Sequence, residues 1–183
     1  MHTHPAPSPW LQRWAHLIPP SSRILDVACG AGRHMRWLSA QAHTVVGVDR
    51  NPEALALAQA FGKLVCADIE NGPWPCTGRT FQAVLVTNYL WRPLWPQLLD
   101  ALAPGGLLVY ETFADGNQTV GKPSRPDFLL QTGELLARCT SLRTVAFEDG
   151  FIEAPARFVQ RIVAVRPLAG STQPARYALP QPP

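Results

Sequence analysis

Arg23-Ile24-Leu25-Asp26-Val27-Ala28-Cys29-Gly30-Ala31-Gly32-Arg33-His34 is the stretch that decides the fold. Ile24 to Val27 reads as a buried strand. Cys29-Gly30-Ala31-Gly32 then makes a tight turn, and helical spacing begins after it. A strand, a glycine turn and a helix open a parallel sheet, in which ligands sit beyond the carboxyl ends of the strands. Gly30 and Gly32 permit tight backbone and close approach of a ligand. Asp26 stands out, an acid inside the apolar run, four residues before Gly30.

Outward from this stretch, short apolar runs alternate with helical periods, which implies an α/β layer architecture. Ser8-Pro9 is a helix start, followed by Trp10, Leu11, Trp14, Leu17 and Ile18 at helical spacing. Strands are expected at 23–27, 44–48, 63–66, 81–87 and 107–113. Helices are expected at about 32–42, from Pro52 with Asn51 as cap, from Pro93, and near 132–138. Pro104-Gly105-Gly106 should turn the chain back before the fifth strand. Two last β runs, 141–147 and 158–165, are expected to be joined by Glu148-Asp149-Gly150 as an antiparallel pair. Both ends, about 1–8 and 168–183, are proline-rich and expected to be flexible or extended on the surface.

Composition narrows the class. The chain has 183 residues, enough for one domain with a full core; 46% are apolar and 16% charged, an ordinary globular balance. No apolar run reaches the roughly 20 residues of a membrane helix. No secretory signal is visible, so the four cysteines, Cys29, Cys66, Cys76 and Cys139, are read as reduced thiols in a cytoplasm. Their spacing matches no metal site. A net charge of +3, spread along the chain, argues against a nucleic-acid partner.

The polar residues at the strand ends carry the chemistry. Asp49, Asp68, Asn88 and Glu111 fall at or just after such ends. An acid at the end of the second strand can accept both hydroxyls of a ribose. A nicotinamide dinucleotide site is the competing reading. Its third glycine position is occupied here by Met35, and a pyrophosphate would be repelled by Asp26. Asp26 suits a cationic ligand instead, such as the ammonium or sulfonium of S-adenosylmethionine. The pattern DxxxGxG, with a second acid 17 residues after its last glycine, is much more specific than the glycines alone.

On these residues the chain resembles the class I S-adenosylmethionine-dependent methyltransferases over about 23–165. Asp26 to Gly32 resembles the first motif, Val45-Val46-Gly47-Val48-Asp49 the second strand with its ribose acid, and Ala67-Asp68-Ile69-Glu70 the adenine site. Phe81 to Tyr89 resembles the fourth strand, and Leu102-Ala103-Pro104-Gly105-Gly106-Leu107 the turn before the fifth. The resemblance implies a doubly wound seven-stranded sheet of order 3-2-1-4-5-7-6 with strand 7 antiparallel. It also implies a cofactor site of Asp26, Ala28, Gly30, Gly32, Arg33, Asp49, Arg50, Asp68, Ile69 and Asn88. Asp68 would take the adenine amine and Ile69 the ring. Gly30-Ala31-Gly32-Arg33-His34 is similar to the tellurite-resistance and thiopurine members, in which the arginine reaches the cofactor carboxylate; Arg33 could equally be a solvated helix residue.

The reaction so implied is direct displacement at the sulfonium methyl, with no metal. Weak catalytic candidates are Asn88, Tyr89 and His34. Asn88-Tyr89-Leu90-Trp91 departs from the Asn/Asp-Pro-Pro-Tyr motif of enzymes acting on exocyclic or amide nitrogens. Trp91 is read as core or as pocket wall. Arg92, Lys122 and Arg125 are candidate substrate contacts, and together with Arg157 they hint at an anionic acceptor. The loop 114–125 is read as a lid or as a surface turn. About 20 residues precede the first strand and no large insertion follows the fourth or fifth. The expectation is therefore one methyltransferase domain over 1–183, monomer or homodimer, acting on a small molecule. The alternatives are a non-catalytic cofactor-binding or partner-activating subunit and an NAD(P)-dependent oxidoreductase.

Overall fold

The computed structural model describes residues 6–170 and 175–180. Its strands are β1 (Arg23–Val27), β2 (Thr44–Asp49), β3 (Lys63–Cys66), β4 (Phe81–Thr87), β5 (Leu102–Phe113), β6 (Arg143–Glu153) and β7 (Ala156–Val165). They form one seven-stranded sheet of order β3-β2-β1-β4-β5-β7-β6. The pairs β1–β2, β1–β4, β2–β3 and β4–β5 are parallel; β7 runs antiparallel to both β5 and β6. This is the order the resemblance implied.

The helices are α1 (Pro9–Trp14), α2 (Arg33–Ser39), α3 (Pro52–Ala58), α4 (Trp95–Asp100) and α5 (Glu134–Arg138). Neighbouring strand residues point to opposite faces, and here both faces are covered, so the central strands are mostly apolar, with buried Asp26 and Glu111 as exceptions. On one face Ile24, Val45, Leu85, Val109 and Val163 pack under α1, α2 and α3. On the other, Leu25, Val46, Val84, Leu108 and Ile162 pack under α4 and α5. Each fully buried Leu or Ile is worth about 2 kcal/mol. No helix of the described residues is long and apolar enough to cross a membrane.

Local chemistry sets the helix ends. Asn51 Oδ1 accepts from the Glu53 and Ala54 amides, and Pro52 supplies a pre-set φ, so α3 begins there. Expected to run to residue 42, α2 stops at Ser39, and Ala42 closes the turn with φ +63°. Met35, where a dinucleotide fold wants glycine, is fully buried. The small residue lies across from it instead. A Cβ on Gly47 of β2 would overlap Met35 Sδ and come within 2.7 Å of Cys29 Sγ.

Three expectations about boundaries need correction. Ala103-Pro104-Gly105-Gly106 is not a turn ahead of β5 but an irregularity within it, because the Gly105 amide donates to Arg166 O while Gly106 O accepts from the Arg166 amide. Glu148-Asp149-Gly150 does not join the last two strands. It lies inside β6, where Glu148 pairs in register with Arg161, and the turn falls at Ala154-Pro155. The ends are also more tied down than expected. Ser8 is buried, accepts from the Trp10 and Leu11 amides, and donates to Glu111 Oε1 at 2.9 Å. Near the other end, Ala178 O accepts from His16 Nε2 at 2.9 Å and Tyr177 packs on the core. The remainder of both ends, 1–5, 171–174 and 181–183, lies outside the described residues.

Candidate active site

Two contiguous cavities open beyond the carboxyl ends of β1 to β5. One, about 390 Å³, runs from Asp49, Asp68 and Ile69 past Asn88 to Phe113 and Phe128. The other, about 260 Å³, is walled by Asp26, Gly30, Arg33 and His34. Ala28 and Asn88 line both and form the junction. These volumes are of the order of small-ligand sites.

The junction is conformationally strained. Ala28 and Asn88 directly follow the ends of β1 and β4, and both take positive φ, +54° and +56°. Asparagine tolerates that region; alanine does so at a cost of about 1–2 kcal/mol. The surrounding ladder holds them: the Cys29 amide donates to Val48 O, and the Asn88 amide to Glu111 O at 2.9 Å. Strain of this kind concentrates at functional sites.

Asp49 fastens the glycine turn to β2. Its Oδ2 accepts from the Gly30 amide at 2.8 Å and its Oδ1 from the Asn51 amide at 2.9 Å. Each oxygen keeps a further lone pair for a ligand. The two glycines divide the work. A Cβ on Gly30 would meet nothing within 4 Å, so that face is open, whereas one on Gly32 would lie 2.6 Å from Ala58 Cβ. Gly32, assigned to the cofactor site from sequence, lines neither cavity and serves the packing of α2 against α3.

Asp26 is 1% exposed, and its Oδ2 has no hydrogen-bond partner among the described residues. His34 Nδ1 lies 3.8 Å from that oxygen, too far for a hydrogen bond. His34 Nε2 is likewise buried and unpartnered. Arg33 sits beside them. Burial lowers its pKa below the ordinary value, and Glu111 and Asp26 oppose that shift. Buried polar atoms without partners are costly, so this arm is arranged for a polar ligand.

At the other end, Asp68 Oδ1 accepts from the Glu70 and Asn71 amides and Oδ2 from Asn71 Nδ2. The Asn71 side chain, then the two amides, hold the Asp68 carboxyl below the usual carboxylate range. Arg50 Nη1 stands 3.8 Å from Glu70 Oε2. Burial, with Glu70 adding to it, pushes the Tyr89 phenol well up, so it stays protonated. Cys29 is raised by burial, then by Asp26 and Asp49, so it is no thiolate nucleophile.

Of the candidate residues, Asp26, Ala28, Gly30, Arg33, Asp49, Arg50, Asp68, Ile69, Asn88, Tyr89 and His34 come together on the two cavities. Trp91, Arg92, Lys122 and Arg125 do not line them. Arg92 binds Glu134 through two 2.8 Å hydrogen bonds and also donates to Asp127 O and Leu129 O. Arg125 pairs with Asp127 in solvent, Lys122 is exposed, and Trp91 packs on the core.

The sequence reading missed Thr112, Phe113, Pro123 and Phe128, which line the larger cavity. Phe113 was visible only as the last residue of a strand. Pro123 and Phe128 reach the site because the loop after β5 folds back. Leu130 N donates to Phe113 O, Asp115 N donates to Leu130 O, and buried Asn117 donates to Pro123 O while accepting from the Phe158 amide. No local periodicity announces such a return.

Residues 24–106 match the family described as a methyltransferase domain. TehB from Haemophilus influenzae has a similar structure, with TM-score 0.74 and 16% identity over 90% of this chain, which spans 64% of that protein's length. A SAM-dependent methyltransferase from Methanosarcina mazei gives 0.69 at 15% identity, covering 90% of this chain and all of that one (100%). A TehB-like SAM-dependent methyltransferase from Corynebacterium glutamicum gives 0.65 at 20% identity, covering 86% of each. No curated protein matches the chain. At these identities the structural likeness shows the fold, and the family model matches residues 24–106 of the 183.

Proposed function

We infer from the family match and the fold that this chain is a class I methyltransferase using S-adenosylmethionine, and we propose that its acceptor is a small molecule. The observation that carries the proposal is the branched cavity meeting at Ala28 and Asn88. The smaller cavity and the Asp49–Ile69 end of the larger one suit the cofactor, and the end of the larger one by Thr112 and Phe113 leaves room for a compact acceptor.

The fit to the cofactor rests on this chain's own atoms. The unpartnered Asp26 Oδ2 offers a buried negative acceptor to an ammonium. Gly30 leaves open space where any side chain would intrude. Asp49 keeps lone pairs for ribose hydroxyls, and Asp68 and Ile69 flank a place for a purine. Arg33 is the residue for a carboxylate in the smaller arm. When bound, S-adenosylmethionine supplies a methyl group on a positively charged sulfur that an acceptor lone pair can displace directly. The protein's work is then alignment and exclusion of water, which lower the barrier without a protein nucleophile.

The test is an S-adenosylhomocysteine-release screen over small thiols, amines, phenols, indoles, carboxylates and metalloid oxyanions. Turnover of at least one compound above the cofactor-only blank is expected. Cofactor binding with no turnover of any of them would contradict the small-acceptor proposal.

A further inference from the structure

We propose that the acceptor is an uncharged, apolar ring compound, held at the β5 end of the larger cavity between Phe113, Pro123 and Phe128. The proposal rests on the methyltransferase reading and deepens it. Every residue lining that end, including Leu90 and Thr112, is uncharged. The charged lining residues of the larger cavity, Asp49, Arg50, Asp68 and Glu70, lie at the opposite end, on the turns after β2 and β3. Three of those four are acidic and would repel an anion.

The cations from which an anionic acceptor could be read do not line this end, and Arg125, whose guanidinium lies 5.3 Å over the Phe128 ring, is neutralised by Asp127. Arg92 is consumed by Glu134 and two carbonyls, and Arg125 is paired with Asp127. Lys122 is exposed beside Pro123 but does not line the cavity. Arg157 acts electrostatically on Arg33, on the side of the smaller arm. A carboxylate seated against the aromatic wall would lose its water and gain no partner, a loss of several kcal/mol. A neutral ring loses nothing of that kind and gains offset or edge contact with Phe128.

Phe128 is 40% exposed, unusual for a large aromatic side chain that lines a cavity. It is held in place rather than loose. Its amide donates to Arg125 O, and Arg92 grips the carbonyls on either side of it, Asp127 O and Leu129 O. Pro123 is fixed by Asn117 in the same way. A preformed aromatic wall, its Phe128 ring backed by Arg125, is the arrangement that binds a flat apolar ligand at low ordering cost.

The experiment uses the full chain saturated with S-adenosylhomocysteine, titrated by ligand-observed NMR with indole and, separately, with indole-3-carboxylate. Indole is expected to bind at least tenfold more tightly than the carboxylate. Phe128→Ser, a change at a partly exposed side chain, should weaken indole at least fivefold and leave S-adenosylhomocysteine affinity within twofold. Equal or tighter binding of the carboxylate, absence of indole binding, or indifference to Phe128→Ser would each overturn the proposal. Failure of S-adenosylhomocysteine to bind at all would instead overturn the methyltransferase reading, so the two failures are distinguishable.

Discussion

Asp49 joins the glycine turn, the start of α3 and the larger cavity in one side chain. It holds the Gly30 amide, holds the Asn51 amide, and faces the larger cavity. Asp49→Ala should therefore weaken S-adenosylhomocysteine binding more than tenfold, at least about 1.4 kcal/mol, measured by calorimetry. An unchanged affinity would remove Asp49 from the site. Ala28 offers the opposite kind of test. Its left-handed backbone costs about 1–2 kcal/mol, and glycine would relieve this while giving back about 0.5–1 kcal/mol in unfolded-state entropy. Ala28→Gly is expected to leave stability unchanged or raise it by up to about 1 kcal/mol in urea denaturation; a loss of more than that would mean the methyl group packs. At this scale the sequence was most legible where a residue type is demanded by a backbone or a charge. Asp26, Gly30 and Asp49 were singled out from their spacing and Asp68 from the resemblance, and all four line the two cavities. Gly32 matches the motif by spacing but packs on Ala58 of α3 and lines neither cavity, which a linear pattern does not show.

Between elements, close packing and one ionic strut do the organising. The helix α2 lies so near β2 that Gly47 has no room for a side chain beside Met35 and Cys29. Gly47→Ala is expected to destabilise the protein by about 1–3 kcal/mol through overpacking, read as a lowered Tm. An unchanged Tm would show that Met35 can move aside. Met35 pointed away from a dinucleotide fold on the sequence, and the structure adds that the helix approaches the sheet all the same, with the small residue on the strand.

The strut is Arg92–Glu134, which ties the segment after β4 to α5 and to the loop between β5 and α5. Burial opposes the Glu134 charge, but the hydrogen bonds from Arg92 and the Gln131 amide prevail and lower its pKa. A carboxyl lowered in the folded state stabilises above its unfolded pKa, and that stability is lost as pH falls through the folded value. Arg92→Met should cost about 1.5–3 kcal/mol at pH 7. The gap between wild type and variant should narrow as the pH drops below the ordinary carboxylate range. A gap that stays constant from pH 7 to pH 3 would show that Glu134 contributes nothing through its charge. Arg92 was read from sequence as a substrate contact; its partner lies 42 positions on, and only the folded loop brings them together.

Across the whole molecule, the topology was the most legible feature. Apolar runs at 23–27, 44–48 and 81–87 lie in β1, β2 and β4, and their order in the sheet follows the family pattern. The least legible parts were the far side of the cavity, built from a loop that returns along β5, and the contact of Ser8 with Glu111. Such contacts depend on closure of the chain and leave no periodic trace. The end of the site by Asp26, Asp49 and Asp68 is written in local motifs, and the end by Phe113 and Phe128 in long-range contacts. The central claim is that this branched cavity takes S-adenosylmethionine rather than a dinucleotide. Calorimetric titration of the protein with S-adenosylhomocysteine, and in parallel with NADH, tests it most directly. Saturable one-to-one binding of S-adenosylhomocysteine with no heat from NADH is the predicted result; tight NADH binding with no response to S-adenosylhomocysteine would contradict it.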